Sequence, residues 1–237
     1  MPFLTRERTE SFPTRHELKF FISYGDYLHL SHTVAALLSP DPFGDENNEY
    51  QIRSLYFDDF QNRAFYEKIA GVENREKIRL RMYNFGDIKL ERKRKFGDVI
   101  IKESVEITPE LCEQIIACDC DGLQFAEHPL LRHLFPLMRT RLLRPTVLVD
   151  YIREAYTHPA QNVRITFDKQ LRTGLFSREF FSRWQPTINP LDEKSIILEV
   201  KYDHYLPDYL RGMLTSVSAQ RLAISKYTIC RRYDPNT

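Results

Sequence analysis

The chain has 237 residues, 42% of them hydrophobic, with 34 basic against 33 acidic side chains and a formal net charge of +1. That length and apolar share suffice for one large β domain with a packed core, and the balanced charge argues against a general nucleic-acid binder, which carries a basic surplus. Cys112, Cys118, Cys120 and Cys230 make neither a disulfide framework nor the two close pairs of a structural zinc site; no apolar run reaches the length of a membrane span and no signal-peptide core opens the chain, so a reducing cytoplasmic setting is expected.

Residues 1–14 read as an arm, and 15–233 as a single domain. Arg15 to Ile22 is predicted to be the first strand, and Tyr24 to Leu38 a helix from the spacing of Tyr27, Leu28, Val34, Leu37 and Leu38. Pro40, Pro42 and Gly44 break it. Tyr50 to Asp58 is a strand, and Asp59 to Ile69 helical or irregular. Arg75 to Tyr83, Gly86 to Lys95 and Val99 to Ile107 make an antiparallel run, with turn signals at 84–86 and 96–98. Thr108 caps a helix that begins at Pro109, and helix recurs over Pro129 to Leu142. Pro145 to Glu154, Asn162 to Leu171 and Ser195 to His204 are strands. Pro207 to Leu214, with Val217, is helical, and Ser225 to Arg231 closes the chain near the sheet.

The strands carry an unusual alternation. Lys77, Arg79 and Arg81 alternate with Ile78 and Leu80, and Glu91, Lys93 and Lys95 follow at the same period. Arg153, the Arg164, Thr166, Asp168 series and the Glu199, Lys201 pair repeat it later. A strand sends successive side chains to opposite faces, so each segment gathers its charges on one face. Three cations along roughly 14 Å of strand match the spread of a condensed phosphate chain better than a single phosphate. A solvated outer face would carry the same pattern in one strand; its repetition, with Lys102 on the next strand, favours a sheet closed around a wet, polyanion-binding channel with helices outside. Arg92 and Arg94 have the opposite parity and belong outside.

Arg153 and Arg164 supply planar donor forks for phosphate oxygens, or for the ion pairs that Asp150, Glu154 and Asp168 offer. Among the carboxylates Glu17, Glu91, Asp168 and Glu199, the last is the first choice for Mg²⁺ or Mn²⁺, because it sits in an apolar strand, IILEVKYD, where an unpaired carboxylate is costly. Lys201 could instead lock it. There is no nucleophile elbow and no glycine-rich phosphate loop, and the seven histidines show no ligand spacing. A site without a protein nucleophile suits direct phosphoryl transfer.

RHELKF at 15–20, RSLYFDD at 53–59, REKIRLRMY at 75–83, KLERKRK at 89–95, RITFD at 164–168, LEVKYD at 198–203 and SKY at 225–227 occur in that order. Together they resemble the catalytic domain of the vacuolar transporter chaperone polyphosphate polymerases, in a stand-alone bacterial form, within the triphosphate tunnel metalloenzyme or CYTH-like group. The resemblance implies an α+β fold: a closed antiparallel eight-stranded β-barrel, the triphosphate tunnel, with surrounding helices. It implies transfer of the ATP γ-phosphate to the end of a polyphosphate chain with release of ADP, dependent on Mn²⁺ or Mg²⁺. It casts Arg79, Arg81, Lys93 and Glu199 as catalytic. Lys19, Lys77, Lys95, Lys102, Arg153, Arg164, Lys201, Ser225 and Lys226 join Arg79, Arg81 and Lys93 as phosphate ligands, and Glu199 with Glu17 as metal ligands. The sensing domain and membrane helices of eukaryotic relatives find no counterpart in this sequence, and no nucleic-acid partner or membrane span is expected.

Two alternatives remain open on the sequence. A tunnel triphosphatase hydrolysing inorganic triphosphate or nucleoside triphosphates would use the same cations with water as acceptor. A non-catalytic polyphosphate or nucleotide binder is the other, favoured if Glu199 is fully paired with cations.

Overall fold

Apolar Ile78, Leu80 and Met82 are buried on one face of a strand whose other face carries Lys77, Arg79 and Arg81. The computed structural model describes residues 15–97, 99–192, 194–215 and 221–235, and in it this two-sided pattern runs through the whole sheet. The arm expected over 1–14 and the helical position Val217 lie outside the described residues. Strands are β1 (His16–Ile22), β2 (Ser39–Pro40), β3 (Glu49–Asp58), β4 (Arg75–Tyr83), β5 (Ile88–Phe96), β6 (Val99–Glu106), β7 (Arg144–His158), β8 (Val163–Leu175) and β9 (Ile196–Tyr202). Helices are α1 (Tyr24–Leu37), α2 (Arg63–Ile69), α3 (Pro109–Ile116), α4 (Pro129–Thr140), α5 (Asp208–Thr215) and α6 (Lys226–Arg231).

Eight strands pair antiparallel in the order β1-β9-β8-β7-β3-β4-β5-β6, with β2 against β7 at the side. The barrel expected from the sequence is not closed. Among the described residues no ladder joins β6 to β1, so the sheet is open and curled into a half-barrel. The free edge of β1 is engaged elsewhere: Leu222 N donates to Lys19 O at 3.0 Å, and Arg221 bridges Phe20. Those groups are no longer free for β6, whose residues alternate between exposed and half-buried. A side-chain contact reaches across the opening from β5 to β1, Lys93 Nζ lying 3.4 Å from Glu17 Oε2.

The convex face is apolar and covered by helices. Leu55, Phe57, Ile78, Leu80, Leu90 and Leu148 pack on α3 and α4, while Ile165, Phe167, Leu198 and Val200 pack on α1 and α5. Thr108 Oγ1 accepts from Leu111 N at 3.3 Å and Pro109 opens α3, the predicted cap. Curvature is helped by an extra residue in β8. Asp150 pairs with Arg172 but Ile152 with Lys169, and Gln170 at the bulge takes φ +52°.

One buried ion pair ties β3 to β7 on the convex side. Arg53 donates from Nε to Asp150 Oδ1 at 2.9 Å and from Nη2 to Oδ2 at 2.7 Å, and its Nη1 reaches Phe180 O at 3.0 Å. Asp150→Ala leaves that guanidinium buried without its counter-ion, so an equilibrium denaturation series should show a loss of about 3–5 kcal/mol.

Arg92 and Arg94 lie on this outer face, as their parity predicts. Arg92 pairs with Glu76 at 2.9 Å and Glu103 at 3.4 Å, and Arg94 with Glu103 at 3.3 Å.

Candidate functional site

On the concave side, strand register decides which charges meet. Arg75, Lys77, Arg79 and Arg81 of β4 stand opposite Lys95, Lys93, Glu91 and Lys89 of β5, and Lys93 stands opposite Lys102 of β6. At the other end of the sheet, Glu17 pairs with Lys201 and Lys19 with Glu199. The first turn of α6 brings Ser225, Lys226 and Tyr227 onto the same face. The sequence reading left α6 without a helical assignment, because SKYTICR is too short to show a 3.6 period; Ser225 caps it, accepting from Thr228 N at 3.4 Å.

These groups enclose a cavity of about 360 Å³, lined by twelve cationic side chains and three carboxylates. The cavity therefore holds nine more positive than negative groups, and the rest of the chain, with 22 basic and 30 acidic residues, is net negative by eight. The near-neutral total conceals a strong separation of charge. Such a focused positive site attracts and concentrates polyanions.

Thirteen of the fourteen site residues named from the sequence line this cavity: Glu17, Lys19, Lys77, Arg79, Arg81, Lys93, Lys95, Lys102, Arg153, Glu199, Lys201, Ser225 and Lys226. Arg164 does not join them. Its guanidinium is bound by Asp41 Oδ2 at 2.7 Å and Tyr50 Oη at 2.8 Å, because Asp41, just after β2, offers a buried carboxylate within its reach. Sequence reasoning missed Lys68 and Arg75, and the tyrosines Tyr56, Tyr151 and Tyr227. Arg75 shares the parity of Lys77 and could have been found by it; Lys68, on a helix, carried no such signal.

Three buried carboxylates hold most of the cations. Glu91 accepts from Arg79 Nε at 2.7 Å and Lys102 Nζ at 2.6 Å, with Arg81 Nη1 at 3.7 Å. Burial alone would raise the Glu91 carboxyl, but Arg79, Arg81 and Lys102 outweigh it and keep it far below the carboxylate range. Asp168 takes both arms of Arg153, at 2.6 and 2.8 Å, and Lys226 as well. Burial opposes that charge too, yet Arg153 and Lys226 bring the carboxyl down to about 2. Glu199 is bonded to Lys201 and lies 3.8 Å from Lys19. Against the cost of burial, Lys201, Lys19, Arg153 and Lys226 hold it well below its ordinary value.

Aromatic rings form the floor beneath the cations. Arg79 lies 5.5 Å from the Tyr56 ring centroid and donates to its hydroxyl at 2.7 Å. Lys77 sits 4.6 Å from Tyr227, and Lys226 and Arg153 lie 4.8 and 5.3 Å from Tyr151. The ring faces offset part of the desolvation of these cations without adding negative charge. Asp58, from the RSLYFDD segment, anchors α6 by accepting from Tyr227 Oη at 2.5 Å and lying 3.6 Å from Arg231.

Lys201 is brought down to about 8 by burial, partly opposed by Glu199 and Glu17. In the unfolded chain it titrates near 10.4, so the empty folded protein binds fewer protons than the unfolded one between those values, and this lysine's unfavourable contribution is full below pH 8 and gone above about 10.4. A bound polyanion restores the proton. Titration calorimetry in buffers of different ionisation heat should show no uptake by Lys201 below about pH 7 and uptake between about pH 8 and 10, with affinity falling as pH rises. Proton-independent binding at pH 9 would contradict this.

Among the described residues, no group of three His, Cys, Asp or Glu side chains is placed to hold a metal. Glu17 and Glu199 do share one wall of the cavity; burial and Glu199 push the Glu17 carboxyl up, but Lys19, Lys93 and Lys201 outweigh them and hold it below its ordinary value. Two hard carboxylate donors, completed by water and substrate phosphate oxygens, fit Mg²⁺ or Mn²⁺.

A family model described as the VTC domain matches residues 14–233. The chain belongs to the VTC domain family. No curated protein matches it. The VTC domain resembles a candidate adenylate cyclase from Bacillus halodurans at 10% identity, with a TM-score of 0.54 over 90% of this chain and 94% of that one. A conserved hypothetical protein from Pyrococcus furiosus aligns at 11% identity, with a TM-score of 0.42 over 85% of this chain and 86% of that one. At such identities the first likeness speaks to fold alone. No helix among the described residues is long and apolar enough to cross a membrane.

Proposed function

We propose that this VTC domain is an ATP-dependent polyphosphate polymerase, working with Mn²⁺ or Mg²⁺. The observation that carries the reading is the convergence of twelve cations and three carboxylates on one cavity. In the proposed reaction a terminal oxygen of the acceptor chain attacks the γ-phosphorus of ATP. A new P–O bond forms, the bond to the β-phosphate bridging oxygen breaks, and ADP leaves. Arg79 and Arg81 face the transferring group and neutralise the charge on its equatorial oxygens, joined by Lys93, which stands opposite Lys77 on β5. Arg153, Lys201 and Lys226 hold the remaining phosphates. A divalent ion on Glu199 and Glu17 would supply further charge neutralisation between phosphate oxygens. The protein itself provides no nucleophile, only position and field.

A second reading has a specific observation behind it. Glu199 is engaged by Lys201 and Lys19, which suits a protein that binds polyphosphate without turning it over. Incubation with ATP and Mn²⁺, followed by size separation of products, tells the readings apart. Long phosphate chains with ADP are expected. Orthophosphate with ADP alone would establish a hydrolase, and tight polyphosphate binding with intact ATP a binder.

A further inference from the structure

The cavity's cations fall into two groups by their partners. Arg79, Arg81 and Lys102 share Glu91, Arg153 and Lys226 share Asp168, and Lys19, Lys93 and Lys201 are paired with Glu17 or Glu199. Lys68, Arg75, Lys77 and Lys95 also line the cavity, but no ion pair to a described residue involves them. Their nearest bonds are neutral: Lys77 donates to Ser225 Oγ at 3.1 Å, Lys68 to Ala223 O at 3.4 Å, and Arg75 to Val72 O.

These four are also neighbours. Arg75 and Lys77 are two residues apart on β4, about 7 Å of strand, Lys95 stands opposite Arg75 across the β4–β5 ladder, and Lys68 comes from α2. Burial and mutual repulsion draw Lys68 down, and Lys77 well down, from their ordinary values. Four half-buried cations with no ion-paired carboxylate among the described residues are a standing cost to the empty protein, relieved by an incoming anion. A divalent ion has no ligand among them and is repelled, so the anion they suit is a bare one.

We propose that Lys68, Arg75, Lys77 and Lys95 form a second anion subsite that takes metal-free condensed phosphate, the body of the chain, while the carboxylate-bearing part of the cavity takes the metal-bound triphosphate. The assignment rests on the phosphoryl-transfer reading and gives it a direction. The reacting chain end lies at Arg79 and Arg81, and the chain runs back along β4 over Lys77 to Arg75 and out past α2.

The test compares two ligands on a Lys68→Gln/Arg75→Gln double variant: long-chain polyphosphate in the presence of a chelator, and triphosphate with Mn²⁺. Affinity for the bare long chain should fall by about tenfold or more, and that loss should exceed the loss for Mn²⁺–triphosphate by about fivefold. The empty variant should melt no lower than the parent, since mutual repulsion is relieved and only two exposed bonds to neutral carbonyls are lost; an anchoring role would lower it. Lys95→Gln gives the same comparison independently should the double variant fold poorly. Equal losses for both ligands, or bare-chain affinity within about twofold of the parent, would overturn the subsite. If the parent makes no polymer from ATP, the transfer reading fails, yet the chelator arm still decides whether the subsite exists.

Discussion

Glu91→Gln should lower the stability of the empty protein by about 3–5 kcal/mol, and the lost stability should return when polyphosphate is added. Glu91 is 2% exposed and is the carboxylate that holds Arg79, Arg81 and Lys102 together. With a neutral amide in its place, the buried Arg81 guanidinium, the half-buried Arg79 guanidinium and the Lys102 ammonium repel one another without that compensation. Burial that was supportable for a charged cluster becomes a penalty. A polyanion supplies the missing charge, so thermal melts with and without polyphosphate should differ more in the variant than in the parent. Turnover falls as well. Arg79 loses the bond that orients its fork, so kcat should fall by about tenfold to a hundredfold, the order expected when a charge-neutralising donor is misplaced. An unchanged melting temperature in the empty state would refute the account of Glu91 as the hub.

Glu199→Gln tests the other end of the cavity. If this carboxylate holds the divalent ion, its removal raises the barrier by about 3–4 kcal/mol, a loss of about 10²–10³ in kcat at saturating ATP. Raising Mn²⁺ should recover only part of it, because Glu17 alone remains. The substitution also removes an anion beside Lys201, whose already depressed pKa of about 8 should fall further. The pH window of proton uptake on anion binding should therefore extend to lower pH in the variant. Full metal-dependent turnover in Glu199→Gln would remove this residue from the reaction, while leaving the cation array in place.

The concave site was largely legible because strand parity is a local property. In REKIRLRMY the cations Arg75, Lys77, Arg79 and Arg81 hold odd positions and Ile78, Leu80 and Met82 even ones, and the register of β4 on β5 then sets Arg79 against Glu91. The same parity placed Arg92 and Arg94 outside, where Glu76 and Glu103 meet them. Contacts that join distant elements were not legible. Lys68 reaches the cavity from a helix, and the tyrosine floor draws Tyr56 from β3, Tyr151 from β7 and Tyr227 from α6. Arg164 has the right residue type in the right motif, but its partner Asp41 lies more than a hundred positions earlier in the chain.

By itself the sequence determined which side of each strand is charged, where most elements begin and end, and the family motifs in their order, since all of these depend on neighbours a few residues apart. Closure was decided only in three dimensions. Whether β6 could meet β1 depended on which backbone groups reached the free edge of β1, and Leu222, two hundred residues downstream, bonds Lys19 there. Tertiary structure also decided which cations own a carboxylate and which do not, because counter-ions are assigned by distance in space, where alternation along the chain has no influence.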